Sequence, residues 1–384
     1  MKLKSFIFFF LLTGLLSVYD SAATAAEGFD AEFKSHVDIS AVPQRLTQPD
    51  QDDETDLLPQ PHFLPEQYFD KDVRLKEVYG IIKPGEGDIT LRLGRQQYLT
   101  GTGFAWNPTD LFNHKKIMDP AYKTSGIDSA YMSYAFSGEN EISTFYSFGQ
   151  NLDRKKSEYT DTENGDYQVK IKTRTNILDL AIHYSEASRP RTDYEGLKTG
   201  MTDMELAVVP VRWRLLAAGM RSEIGGLGIH VEGGRAWLEA DDETTEIKDE
   251  SFTKDHTRFL VGVDYTFKNE LYLVLEYYQE GLGKTSPEEY TTNDRLGYIN
   301  NEFDTIGRDN IFVGASMPIA DKASIELYNI INANDPSVVV NPWLNFEASE
   351  DLSLSISAQI PVGSEESSIG KTKPSAFGRI QINF

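Results

Sequence analysis

The sequence predicts an all-β chain, a transmembrane antiparallel up-and-down β-barrel of about sixteen strands. Three observations predict it. Short segments alternate apolar and polar side chains with a period of two, which gives each strand one oily and one wet face. Tight turns joining the segments alternate with long, charged connections, the asymmetry of a barrel whose turns lie on one membrane side and loops on the other. Finally, the chain stops inside such a strand, "FGRIQINF", with Phe384, Ile382 and Ile380 apolar and Asn383, Gln381 and Arg379 polar.

Taken in order, Lys2 and Lys4 precede the apolar run Phe6–Leu16, and Ala23-Thr24-Ala25 supplies a small-residue cleavage site. Residues 1–25 therefore read as a secretory signal peptide, leaving 26–384 as the barrel. The alternation Phe29–Ile39 is the first strand, and the Pro- and Asp-rich segment 41–71 is a long external loop. Strands follow at Val73–Ile82 and Ile89–Gln96, around the turn "KPGEGD". Paired strands near 129–137 and 140–149, then 166–174 and 177–186, meet at short turns. A strand ending near Arg221 turns at Gly225-Gly226 into Leu227–Trp237. The pairs 256–267 and 270–280, 309–318 and 323–331, and 337–347 and 352–361 precede the terminal strand Ser375–Phe384. On strand 256–267, Phe259, Val261, Val263 and Tyr265 share one face and Arg258, Gly262 and Asp264 the other. A soluble β-sandwich alternates in the same way, but it has no reason for such unequal loops.

Composition narrows the function. A net charge of −23 disfavours a nucleic-acid partner, and the absence of cysteine excludes disulfide staples and thiolate zinc sites. The acids concentrate in connections such as "NLDRKKSEYTDTENGD" and "EADDETTEIKDES", where they stay solvated or bridge to lipopolysaccharide through divalent cations. His36, His62, His114, His183, His230 and His256 form no metal-binding spacing, and neither a nucleophile elbow nor a phosphate loop is present. The expectation is a chain that is not an enzyme and carries no cofactor, with an outer-membrane hydrolase using His230 and Glu232 as the remote alternative.

One local motif stands out, "LRLGRQQYLTGTGFAWNPTDLFN" (91–113). Its Gly94, Arg95, Gln96, Gly101, Gly103, Trp106, Asn107, Pro108 and Asp110 form a G-R-Q, glycine-turn, W-N-P-x-D pattern. The pattern resembles poorly characterised porin-like barrel families of Gram-negative outer membranes, including relatives of alginate-export-type proteins. The terminal strand with Phe384 last likewise resembles the signal that barrel-assembly machinery reads. The resemblance implies passive passage of small hydrophilic solutes, or export of a charged polysaccharide. It also implies an outer-membrane location in contact with lipid and lipopolysaccharide, and by analogy a homotrimer. Such barrels commonly fold one external loop into the lumen, a role that falls here to 97–128. Trp106 then either narrows the pore or simply packs the loop against the wall.

If the oily faces meet lipid, alternation assigns the lumen. The cations are Arg92, Lys170, Lys172, Arg212, Arg214, Arg258 and Arg379, and the anions Asp179, Glu232, Asp264, Glu276 and Glu326, with Gln96 beside them. Opposed charges of this kind set up a transverse field or pair with one another across strands. The stretch Val208–Leu216 admits either register, so Arg212 and Arg214 are the least determined of these positions.

Overall fold

The computed structural model describes residues 29–43, 69–84, 88–113, 126–137, 139–148, 165–193, 207–240, 253–299, 304–349, 352–370 and 374–382. Residues 1–25, predicted as a signal peptide, most of the predicted loop 41–71, residues 114–125 and Phe384 lie outside the described residues. The strands are β1 (Phe29–Pro43), β2 (Phe69–Pro84), β3 (Ile89–Gln96), β4 (Ile127–Ser137), β5 (Asn140–Ser147), β6 (Tyr167–Arg174), β7 (Leu178–Asp193) and β8 (Ala207–Ile224). They continue as β9 (Leu227–Ala240), β10 (His256–Thr266), β11 (Tyr272–Glu280), β12 (Asp309–Ala320), β13 (Ala323–Asn332), β14 (Ser337–Glu347), β15 (Leu352–Val362) and β16 (Ser375–Ile382).

All sixteen form one antiparallel sheet in chain order, the up-and-down topology that the strand rhythm predicts. The sheet curls until β16 lies beside β1, but no ladder joins these two edges among the described residues. The predicted barrel is thus approached without closure of the sheet among the described residues. At the β8–β9 turn Gly225 and Gly226 have φ of 60° and 84°, the left-handed pair that a two-residue hairpin requires.

The two faces of the sheet are inverted relative to a soluble protein. Leu93, Met132, Phe136, Ile171, Ile182, Leu216, Ile356 and Ile380 point outward and are exposed. Ser129, Gln168, Ser185, Glu232, Glu276 and Asn341 point inward and are buried. A sandwich hides its oily faces, so this inversion excludes the sandwich alternative.

Two features differ from the sequence reading. The ladder between β7 and β8 continues past residue 186 to Asp193 opposite Ala207, with Pro190 facing Pro210. Pro190 reads as loop in the sequence, yet both strands carry on past the facing prolines. The connection from β11 to β12 is also not a plain polar loop, because it contains a 3-10 turn (Pro287–Glu289) and a short helix, α1 (Thr292–Ile299). The helix reaches β7, and Arg295 donates to the main-chain oxygens of Ser367 (3.0 Å) and Glu366 (2.7 Å). Tyr290 donates to Asp335 at 2.8 Å, which ties this loop to the β13–β14 turn.

Candidate functional site: a loop laid along the interior wall

Residues 97–113 leave β3 and run inside the curled sheet. Tyr98 stacks on Phe145 of β5 with ring centroids 4.1 Å apart, and its hydroxyl donates to Gln168 of β6. The chain then crosses to β9, where the Thr102 N–H donates to the Glu232 carboxylate. Next it reaches β11, where Phe104 and Ala105 donate their N–H groups to Glu276, the latter at 2.7 Å. Phe104 packs among Tyr272, Phe312 and Tyr328, while Trp106 stacks on Tyr278 with centroids 5.1 Å apart. The return limb brings the Thr109 carbonyl to His183 (3.0 Å) and the Leu111 carbonyl to Arg189 (2.9 Å), both on β7. A single loop is thereby pinned from β5 to β13.

Each part of the motif has a local reason. Gly94 has φ +127° and Gly101 φ +97°, which side chains of L-residues rarely adopt. A Cβ on Gly101 would lie 2.8 Å from Glu232 Oε2, and one on Gly103 would overlap the Trp106 carbonyl oxygen. The two glycines let the chain lie flat on β9 and β10. Asp110 accepts from the N–H groups of Thr100 (3.2 Å), Phe112 (2.8 Å) and Asn113 (3.0 Å), and the Asp110 N–H donates to the Asn107 carbonyl (3.0 Å). This one carboxylate therefore joins the outgoing and returning limbs, around a buried Pro108. Burial raises the Asp110 pKa, opposed by those donors. Gln96 points inward and donates to the Ser129 carbonyl at 3.3 Å. Arg95 points outward instead, bound to Asp128 through two contacts of 2.9 and 2.6 Å.

The remaining sequence-assigned positions divide clearly. Arg92, Lys170, Lys172, Glu232, Arg258, Asp264, Glu276, Glu326 and Arg379 lie on the inner face. Arg258 is buried against Glu280 (3.1 Å) and Asp304 (3.5 Å), with its guanidinium 5.1 Å above the Trp213 ring. His230 bridges Glu276 (2.7 Å) and Asp264 (3.7 Å), and Tyr328 donates to Glu326 at 2.8 Å. Arg379 sits 5.7 Å above Trp343, and Asp179 pairs with Arg174 at 2.7 Å.

Arg212 and Arg214 are a correction, because both face outward. The inner face of β8 is Val211, Trp213, Leu215 and Ala217, all buried in one apolar cluster with Leu111 and Phe112 of the loop. The loop's returning limb needs an oily wall at that point, and this fixes the register that the sequence left open. On the outside Arg212 meets Glu186 at 2.7 Å, and Arg214 meets Glu239 at 2.9 Å.

Sequence reasoning missed Tyr98, His183, Arg189, Tyr278 and Phe312 as anchors of the loop. The parity of His183, Tyr278 and Phe312 within their strands places them on the wet face, and a buried aromatic on that face is the signal that something covers it. Among the described residues no His, Asp or Glu group has the arrangement of a metal site. Of the pair His230 and Glu232, His230 binds Glu276 and Glu232 accepts from the loop at Thr102.

No family model and no curated protein matches the chain. Solved structures do. OccK10 (OpdN) of Pseudomonas aeruginosa is 10% identical, with 92% of this chain and 99% of that one covered and a TM-score of 0.49. The triple-mutant porin of Rhodopseudomonas blastica is 10% identical, with 92% and 100% covered and a TM-score of 0.42. A loop-deletion mutant of OmpT, an outer membrane protein of Vibrio cholerae, is 9% identical, with 92% and 98% covered and a TM-score of 0.43.

Proposed function

We propose that the chain is an outer-membrane, porin-like channel for passive diffusion of small hydrophilic solutes, narrowed by loop 97–113. One observation carries this reading, the inverted faces of the curled sheet. Exposed Leu, Ile, Met and Phe on the outside fit acyl chains, and a charged inner face fits water. In lipid every backbone group must find a partner within the protein, and a sixteen-stranded sheet curled edge to edge comes close to meeting that demand. The pinned loop supports a narrow passage over a wide one. Export of a charged polysaccharide calls for a continuous basic track, whereas this inner wall mixes Glu232, Asp264, Glu276 and Glu326 with its cations. No catalytic step is assigned. On the same reading the outward face contacts lipid and lipopolysaccharide, and the terminal strand engages the assembly machinery. A homotrimer is the oligomer tested by mass measurement in detergent.

The test is single-channel recording in planar bilayers. Small ohmic steps are expected, enlarged when 99–112 are replaced by a short Gly-Ser linker. A bilayer that stays silent despite inserted, folded protein would overturn the channel reading.

A further inference from the structure

Three inner-wall arginines meet a carboxylate. Arg258 has Glu280 at 3.1 Å, Arg174 has Asp179 at 2.7 Å, and Arg221 has Asp264 at 3.9 Å. Arg92, Lys170 and Lys172 differ, since none of them makes an ion pair among the described residues. They gather on one stretch of wall. In the ladder Arg92 of β3 lies opposite Tyr131 of β4, Lys170 of β6 opposite Ser143 of β5, and Lys172 opposite Glu141. Lys170 is within electrostatic reach of both other cations, of Glu141 and of Asp110. The Arg92 guanidinium lies 4.9 Å from the Tyr131 ring centroid, and Lys170 Nζ lies 5.0 Å from that of Tyr98, at the root of the loop.

The surrounding anions do not neutralise this group. Asp110 spends its oxygens on loop N–H groups, and Glu141 accepts the Tyr131 hydroxyl at 2.9 Å. Three cations thus face two carboxylates, Glu141 and Asp110, with which none of them forms an ion pair, on a wall that is partly closed to water and so screens charge weakly. Each of the three keeps part of its surface open, and Ser133 of β4 and Ser143 of β5 face each other on the two strands between them. Guanidinium and ammonium donors gathered on one stretch of wall are the chemistry that holds an oxyanion.

We propose that Arg92, Lys170 and Lys172 form a binding site for a small oxyanion, a phosphate or a carboxylate, in the passage beside the root of loop 97–113. As a statement about the transported solute it rests on the channel reading; as a binding site it does not.

The experiment titrates inorganic phosphate, and separately succinate, into the detergent-folded chain by calorimetry, and measures the zero-current potential across a KCl gradient. Saturable binding of at least one anion is expected, weakened by rising salt. At least tenfold loss is expected in Lys170→Gln/Lys172→Gln, together with a chloride preference that falls in the same variant. Retention of the folded, unboiled gel band shows that the variant is intact, and Arg92→Gln alone carries the test if it is not. Absence of saturable heat with either anion, or equal binding by the variants, overturns the site. Binding without any current would leave the site standing and overturn the channel. Current with cation preference and no binding would do the reverse.

Discussion

At Gly101 and Gly103 the chain spends its conformational freedom on contact. Alanine at either position brings a Cβ into Glu232 or the Trp106 carbonyl, and at Gly101 it also holds a non-glycine residue at φ +97°. A cost of about 1–3 kcal/mol is expected for Gly101→Ala, read as an earlier loss of the folded gel band on heating. Glu276 is the reciprocal case. It accepts from two loop N–H groups and from His230, and it is fully buried. Glu276→Ala leaves those buried groups without an acceptor, at roughly 1–3 kcal/mol for each one. Larger conductance steps should accompany the change, and unaltered steps and unaltered melting together would show that the carboxylate does not hold the loop.

At the scale of the element, the loop is fixed at both ends of its span by aromatic contacts. Its tip enters an apolar cluster with Leu260, Tyr278, Phe312 and Tyr328, and its root joins Phe145, Trp213 and Leu215. Trp106→Ala empties a side-chain volume that is 1% exposed, a change that costs about 3–5 kcal/mol in a packed core. Strand pairing does not depend on this residue, so the sheet should persist while the tip detaches. The expected record is a normal heat-modifiable band with noisier, larger conductance. The opposite result, a quiet wild-type current, would show that the remaining anchors suffice. The loop also decides the register of β8. Val-Val-Pro-Val-Arg-Trp-Arg-Leu-Leu alternates acceptably in two ways, and Trp213 and Leu215 lie inside, in one apolar cluster with Leu111 and Phe112.

For the whole molecule, the outer surface sets the solvent in which the fold is stable. Ile356, 65% exposed in the middle of β15, stands for the band that meets hydrocarbon on the proposed reading. Ile356→Arg should destabilise the protein by about 2–4 kcal/mol in a bilayer, measured by urea unfolding in lipid vesicles. Arg214→Lys, at an outward position that is already charged and lies beside Glu239, should by contrast be close to neutral. Equal effects at the two positions would contradict a lipid-facing band.

The sequence by itself determined the strand count, the turn positions and most inward and outward assignments, because a period of two is a local property that each strand writes independently. It also marked the segment containing Gly101, Gly103, Trp106 and Asp110, since closely spaced glycines before W-N-P-x-D signal a chain folded tightly on a surface. Tertiary structure alone decided which surface that was, which face of β8 turned inward, and how far β7 and β8 continued beyond Pro190 and Pro210. Those choices depend on side chains brought together from β5 to β13. No local pattern encodes a contact between residues 98 and 145, or between 105 and 276, until the sheet has curled.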